Sequence, residues 1–159
     1  MSKIYRIFLL LIAISFFVSC GNSDDSGGNA EVQPEKVEFN LTGNDQMKFN
    51  LNTMVVNEGD RVIVNFVNIG KMAKEVMGHN FVLLKQGVDL AAFAAKAAAE
   101  KDNEYIPAGE LDNIIVYSKL LGPGEETVIE FTAPAKGSYK YVCSFPGHYT
   151  TMQGTLIVR

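Results

Sequence analysis

The chain has 159 residues, 47% of them hydrophobic and 20% charged, which suits one globular domain with some tail and is too little for two full domains. Its formal net charge of -4, with no long basic run, leaves no electrostatic footprint for a phosphate backbone, so nucleic acid is excluded as an expected partner. Two cysteines, Cys20 and Cys143, are too few for a disulfide framework, and stability must come mainly from a packed core.

The N-terminus is ordered by charge and hydropathy. Lys3 and Arg6 precede an almost wholly apolar run over residues 7–18, and Ser19 leads into Cys20. Residues 1–19 therefore read as an export signal. About twelve apolar residues fall short of the roughly twenty that a bilayer span needs, so the run is an h-region and the mature protein is expected in water. Val18-Ser19-Cys20 resembles the lipobox of bacterial lipoproteins, with Phe17 where Leu is usual. That resemblance implies lipidation of Cys20. Gly21 stands where an Asp would signal retention at the inner membrane, which favours the outer membrane, and Ser23-Asp24-Asp25-Ser26 resembles acidic surface-export signals. The expected location is thus exported and lipid-anchored at Cys20, on the periplasmic side or the surface of the outer membrane. A plain signal peptide, or a disulfide between Cys20 and Cys143, is the alternative.

Residues 20–36 are mostly Gly, Asn, Ser, Asp, Glu and Pro, a composition that cannot bury enough apolar area to order itself. They read as a tether with an r.m.s. reach on the order of 20 Å. Removing residues 1–19 takes away Lys3 and Arg6, so 14 basic residues become 12 against 18 acidic, a net -6.

Short β-rich runs follow at 37–41, 47–51, 53–56, 61–68, 80–84, 114–117, 127–132, 139–143 and 155–158. Their spacing, with Gly59-Asp60, Gly122-Pro123-Gly124 and Ala135-Lys136-Gly137 as turns, indicates an all-β sandwich or barrel over residues 37–159. One segment breaks the pattern. Residues 89–101 are dominated by alanine, the strongest helix former, and predict a helix of about three and a half turns. Asp89 can cap it, and Leu90, Phe93, Ala94 and Ala97 make one apolar stripe to lie against the sheets.

The chain's two histidines each stand beside a glycine at a strand boundary, in Met77-Gly78-His79-Asn80 and in Cys143-Ser144-Phe145-Pro146-Gly147-His148-Tyr149-Thr150-Thr151-Met152. One loop can therefore deliver Cys143, His148 and Met152. Two imidazoles and one thiolate with a weak axial thioether are the ligand set of a blue-copper site. Structural zinc prefers four strong ligands, and catalytic zinc keeps an open position. Neither fits this inventory. A nucleophilic pair of Cys143 with His148 or His79, oriented by Asn80, is the enzyme-class alternative, although it leaves Met152 unused. Met54 and Met72 read as packing residues.

These two motifs, with Gly43-Asn44-Asp45-Gln46-Met47-Lys48-Phe49-Asn50 and Gly154-Thr155-Leu156, resemble the azurins, a branch of the bacterial cupredoxins, across residues 37–159. The resemblance implies an eight-stranded Greek-key β-sandwich with one helical flap and one copper ion per chain beneath loops at one end. It makes His79, Cys143 and His148 equatorial ligands, with Met152 sulfur and the Gly78 carbonyl as weak axial contacts. It also points the backbone N–H groups of Asn80 and Phe145 at the Cys143 sulfur, ties the Asn80 side chain to Ser144, and has the Asn44 carbonyl receive the His79 ring N–H. The outer edge of His148 becomes the electron port, ringed by an apolar patch of Met47, Met77, Phe145, Pro146 and Gly147. The implied function is transfer of single electrons between redox partner proteins, such as cytochromes or terminal reductases, by a monomer that performs no substrate chemistry. A copper scavenger or chaperone using the same ligands is the rival. Azurins usually carry a disulfide away from copper; here Cys20 and Cys143 are both otherwise engaged, and there is neither a tryptophan nor a third histidine.

Overall fold

A computed structural model describes residues 34–159. The expected export signal, Cys20 and the tether as far as residue 33 lie outside the described residues. Among the described residues, nine strands form two sheets. One contains β1 (Lys36–Asn44), β2 (Lys48–Phe49), β4 (Arg61–Asn68) and β7 (Glu126–Thr132), in the order β2-β1-β4-β7. The other contains β3 (Thr53–Val56), β5 (Val82–Leu84), β6 (Ile114–Tyr117), β8 (Gly137–Val142) and β9 (Gln153–Val158), in the order β3-β9-β8-β5-β6. β1 with β4 and β3 with β9 are parallel, while the remaining pairs are antiparallel. This is a two-sheet β-sandwich, as the spacing of the runs indicates. The two-residue β2 is the addition to the eight strands that the resemblance implies.

Side-chain alternation decides which face of each strand is buried. In β9, Gly154, Leu156 and Val158 point inward while Gln153, Thr155 and Ile157 are half-buried, as the period of two requires. Leu41, Val62, Val64 and Phe66 from one sheet belong to the same core cluster as Phe81, Leu83, Tyr141 and Leu156 from the other sheet and its loops. Aromatic rings knit its centre: Phe49 meets Phe66 edge-on at 5.8 Å, and Phe81 stacks on Tyr141 at 5.4 Å. Tyr141 keeps its one polar atom satisfied by donating to the Leu51 carbonyl at 2.6 Å, and burial pushes its phenol up to about 12.

The expected helix is α2 (Leu90–Ala98), shorter than residues 89–101. Asp89 caps it, its Oδ1 accepting from Ala91 and Ala92 N–H at 2.9 and 3.0 Å. The alanine run stops short because Glu100 leaves helical geometry (φ -103°, ψ 47°) and a 3₁₀ turn follows over Lys101–Asn103. Phe93, Ala94 and Ala97 are buried, whereas Leu90 is only half-buried. Phe93 and Ala97 join a second cluster with Val82, Leu84, Ile106, Ile114 and Val142, so the helix covers the outer face of β5, β6 and β8.

Among the strand boundaries that differ from expectation, three have clear local reasons. The run at 47–51 yields only Lys48–Phe49, because Met47 sits at positive φ (54°) in a turn closed by its N–H to the Asn44 carbonyl. The run at 80–84 begins at Val82, because His79 and Phe81 direct their backbone to Leu121 and to the Ser118 hydroxyl. β1 begins at Lys36, one residue inside the expected tether, since Glu35 N–H donates to Asp60 and the Glu35 carbonyl accepts from Arg61.

Candidate metal centre

Each donor side chain is delivered by a loop at one end of the sheets. A short helix, α1 (Lys74–Met77), ends at Gly78 and hands the chain to His79, whose backbone forms an isolated bridge with Leu121, N–H to carbonyl in both directions at 3.1 and 2.7 Å. Cys143 follows β8 directly, and its N–H donates to the Met152 carbonyl at 3.0 Å. Between them, Phe145-Pro146-Gly147-His148 makes a turn closed by His148 N–H to the Phe145 carbonyl at 3.0 Å, with Gly147 at φ 83°. Pro followed by Gly is what a type II turn demands. One turn of 3₁₀ helix, His148–Thr150, then brings Met152 back, its N–H bonded to the His148 carbonyl at 2.8 Å.

The result is a buried convergence. His79, Cys143 and His148 offer one ligand atom each, all within 4.8 Å of one another. Cys143 Sγ lies 3.9 Å from His79 Nδ1 and 3.5 Å from His148 Nδ1. Met152 is fully buried alongside: a methyl group placed on Gly43 would lie 2.6 Å from Met152 Cε and 3.1 Å from the His79 ring. Gly43 is therefore where β1 passes beneath both ligand side chains, and only a residue without Cβ leaves them room.

Hydrogen bonds fix how the donors present themselves. His79 Nε2 lies 3.0 Å from the Asn44 carbonyl; a carbonyl can only accept, so Nε2 carries the proton and Nδ1 offers its lone pair. Burial holds the His79 imidazole below its usual pKa, against the Asn44 carbonyl and the Asp45 charge, which favour protonation. His148 is pulled down to about 4, by burial and by repulsion from His79. Both rings are neutral ligands at neutral pH. Burial also pushes the Cys143 thiol up to about 12, opposed by the N–H groups of Asn80 and Phe145. Those two N–H groups favour a charged sulfur and would stabilise a thiolate.

Asn80 locks the two loops together. Its Oδ1 accepts from Ser144 N–H at 2.8 Å, and its Nδ2 donates to Ser144 Oγ at 2.8 Å and to the Glu104 carbonyl at 3.2 Å. Ser144 Oγ also donates to the Tyr105 carbonyl at 2.7 Å. Tyr105 sets its ring edge-on to Phe145 at 4.9 Å, and Phe145 in turn tilts over His148 at 4.6 Å.

The expected apolar rim is placed in part. Met47 and Met77 are half-buried and Pro146 and Gly147 exposed, but Phe145 is buried, its ring flanked by Tyr105 and His148. His148 retains 3% exposure. Its Nε2 has no hydrogen bond among the described residues, and no buried side-chain nitrogen or oxygen there lacks a partner, so the ring's open edge is that nitrogen. Met54 packs in the core at 1% exposure, whereas Met72, read as packing, is 42% exposed on the segment leading to α1. Its N–H, with that of Lys71, is held by the Asp45 carboxylate at 3.4 and 2.8 Å, which leaves the side chain outside. Sequence reasoning missed Gly43, Glu104, Tyr105 and Thr151, the last of which donates to the Met47 carbonyl at 3.1 Å and pins the ligand loop to the β1–β2 turn. Only Gly43, a glycine amid alternating strand residues, carried a visible signal.

Two imidazoles of borderline softness, one soft thiolate and a thioether suit copper and no commoner biological metal equally well. The profile of the family described as "Copper binding proteins, plastocyanin/azurin family" matches residues 35–159. The chain belongs to this family. The azurin of Achromobacter denitrificans is 35% identical over 136 residues, covering 82% of this chain and 90% of the relative. Azurin-1 of Alcaligenes xylosoxydans xylosoxydans is 38% identical over 120 residues, covering 73% and 92%. Among solved structures, an azurin from Methylomonas sp. strain J superposes with a TM-score of 0.68 at 33% identity, covering 77% of this chain and 98% of that one. Reduced auracyanin from Roseiflexus castenholzii gives 0.67 at 32%, covering 78% and 96%. Family and donor set together assign one type 1 copper ion per chain, the cofactor of a blue-copper electron carrier.

Proposed function

We propose that this chain carries single electrons between redox partner proteins, such as cytochromes or terminal reductases, while lipid-anchored through Cys20 at the outer membrane, on its periplasmic side or its surface. The observation that carries the reading is the convergence of His79, Cys143 and His148 in a buried site closed by the Asn80–Ser144 pair. His79 Nδ1, His148 Nδ1 and Cys143 Sγ would hold the copper ion, with Met152 sulfur and the Gly78 carbonyl as weaker contacts. Bound copper supplies a one-electron couple.

What the protein contributes follows from its own residues. Strand ends and crosslinked loops hold the donors in place, so little rearrangement of ligands accompanies a change of charge. Phe145, Met152 and the core behind them exclude water. The N–H groups of Asn80 and Phe145 bear on the thiolate and so tune the potential. The edge of His148 is the port through which a docked partner exchanges electrons, with Met47, Met77, Pro146 and Gly147 as the apolar rim.

Burial weighs against the nucleophile reading. A thiol pushed up to about 12 and wholly enclosed is neither ionised nor reachable at neutral pH. The same enclosure favours copper retention over hand-off by a scavenger or chaperone. The copper-loaded protein should show an intense visible thiolate band, and Cys143→Ser should abolish it. Met152→Ala should keep copper and shift the potential. A Cys143→Ser protein that stays blue overturns the site. Membrane fractionation of Cys20→Ala tests the anchor: release into the soluble fraction is expected, and unchanged fractionation defeats it.

A further inference from the structure

Glu104 stands well outside the ligand motifs, yet three of its bonds converge on the segment that carries His79. Its carbonyl accepts from Asn80 Nδ2 at 3.2 Å. Its Oε2 accepts from Leu120 N–H at 2.9 Å, and its Oε1 meets Lys74 Nζ at 3.2 Å. Lys74 opens α1, which ends at Gly78. Leu120 precedes Leu121, whose backbone brackets His79.

Both partners of the carboxylate press on Gly78. A methyl group placed there would lie 2.6 Å from the Lys74 carbonyl oxygen and 2.9 Å from the Leu120 side chain, so the chain entering His79 is gripped between them. Glu104 itself adopts φ 52° and Tyr105 φ 64°, a conformation uncommon for residues other than glycine and sustained only by its surroundings. This reversal presents the Glu104 and Tyr105 carbonyls to Asn80 and Ser144 and turns the Glu104 carboxylate toward α1 and Leu120. Burial opposes the carboxylate's charge, but the Leu120 N–H and Lys74 outweigh it and hold Glu104 below the usual carboxylate range.

We propose that Glu104 is a positioning residue for the copper site: by clamping α1, Leu120 and Asn80 together, it fixes the Gly78–His79–Asn80 segment and aims the Asn80 N–H at the Cys143 sulfur. The proposal rests on the copper reading above for its effect on potential, but the clamp itself belongs to the protein without metal. The Leu120 bond is its stronger arm, because the Lys74 ion pair is 34% and 42% exposed and is screened by solvent. An N–H dipole aimed at the thiolate favours the state with the added electron, so loosening it lowers the reduction potential.

The test uses the full chain as the parent and as Glu104→Gly, Glu104→Asn and Glu104→Gln. Glycine accepts the positive φ freely, so its effect reports the lost carboxylate and not backbone strain. Asparagine also tolerates this conformation and falls one methylene short of Leu120, which keeps the test valid if the glycine variant fails to fold. Hydrogen exchange is read at the His79, Leu120 and Leu121 amides of the metal-free proteins, and reduction potential in the copper-loaded ones. The glycine and asparagine variants should exchange these amides faster than the parent and show a downward shift in potential. Glutamine, whose carbonyl can still accept from Leu120, should restore both toward the parent. A uniform loss of thermal stability, with local exchange and potential unmoved, makes Glu104 merely structural and overturns the proposal. So does a glutamine variant as impaired as glycine. If none of the proteins binds copper, the functional reading fails while the exchange measurement still decides the clamp.

Discussion

Gly43 has no chemistry of its own, yet β1 can pass beneath Met152 and His79 only because it lacks a side chain. Gly43→Ala would put a methyl into space already filled by Met152 Cε, and overpacking of this kind costs about 1–3 kcal/mol. The displaced atoms belong to two ligands, so denaturant unfolding should show a loss in that range and the potential should move with it. Asp60 is a different case, a buried carboxylate far from the donors. Its Oδ1 accepts from Glu35 N–H at 3.0 Å and its Oδ2 from Asn57 N–H at 2.7 Å, and these bonds hold it below the usual carboxylate range. A folded-state pKa below the unfolded value of about 3.9 means that the stabilisation is fully present above that value and lost as pH falls through the folded one. Asp60→Asn should therefore lower the urea midpoint near neutrality and flatten its further decline between about pH 5 and pH 2. Equal slopes for parent and variant over that window would contradict the assignment.

α2 is anchored by Phe93, which is 1% exposed among Val82, Leu84, Ile114 and Val142. Phe93→Ala should cost about 3–5 kcal/mol, the usual loss for a buried phenylalanine, read as a fall in the denaturant midpoint. This helix also marks how far the sequence could be read. Its existence and its cap were legible because alanine propensity and an Asp at the N-terminus are local properties, as were β4 and β6, whose bounds match their β-branched runs residue for residue. Its end was not. Alanine continues to residue 99 and Lys101 would extend a helix, but Glu104 and Tyr105 take positive φ to meet Asn80, Ser144 and Leu120. Those partners lie 16 to 39 residues away along the chain, and no local pattern announces them. The same asymmetry holds at the metal centre. His79, Cys143, His148 and Met152 stood out because scarce, chemically distinctive residues clustered around two glycines. Glu104 and Thr151 act through a half-buried carboxylate, a backbone carbonyl and a hydroxyl, common polar groups that nothing in the neighbouring sequence marks out.

At the scale of the whole molecule, the described residues 34–159 hold both sheets, α2 and the donors of the candidate metal centre. The N-terminal boundary of this unit is set by a clip and not by composition. Glu35 donates to Asp60 and accepts from Arg61, and Lys36 opens the ladder of β1 with β4. A chain starting at Pro34 should consequently fold with the thermal midpoint, visible band and reduction potential of the longer protein. A chain starting at Val37 loses the Glu35 N–H that satisfies a buried carboxylate, together with one rung of a parallel ladder. Leaving a buried acceptor short of a partner costs about 1–3 kcal/mol, so the shorter chain should unfold at lower denaturant. Its band and potential should still match, since the clip joins β1 to the turn before β4 while the ligands hang from the loops after β8 and α1. Coincident unfolding of the two truncations would place the boundary further into β1, and a changed band would mean that the ends of the sandwich are coupled through its core.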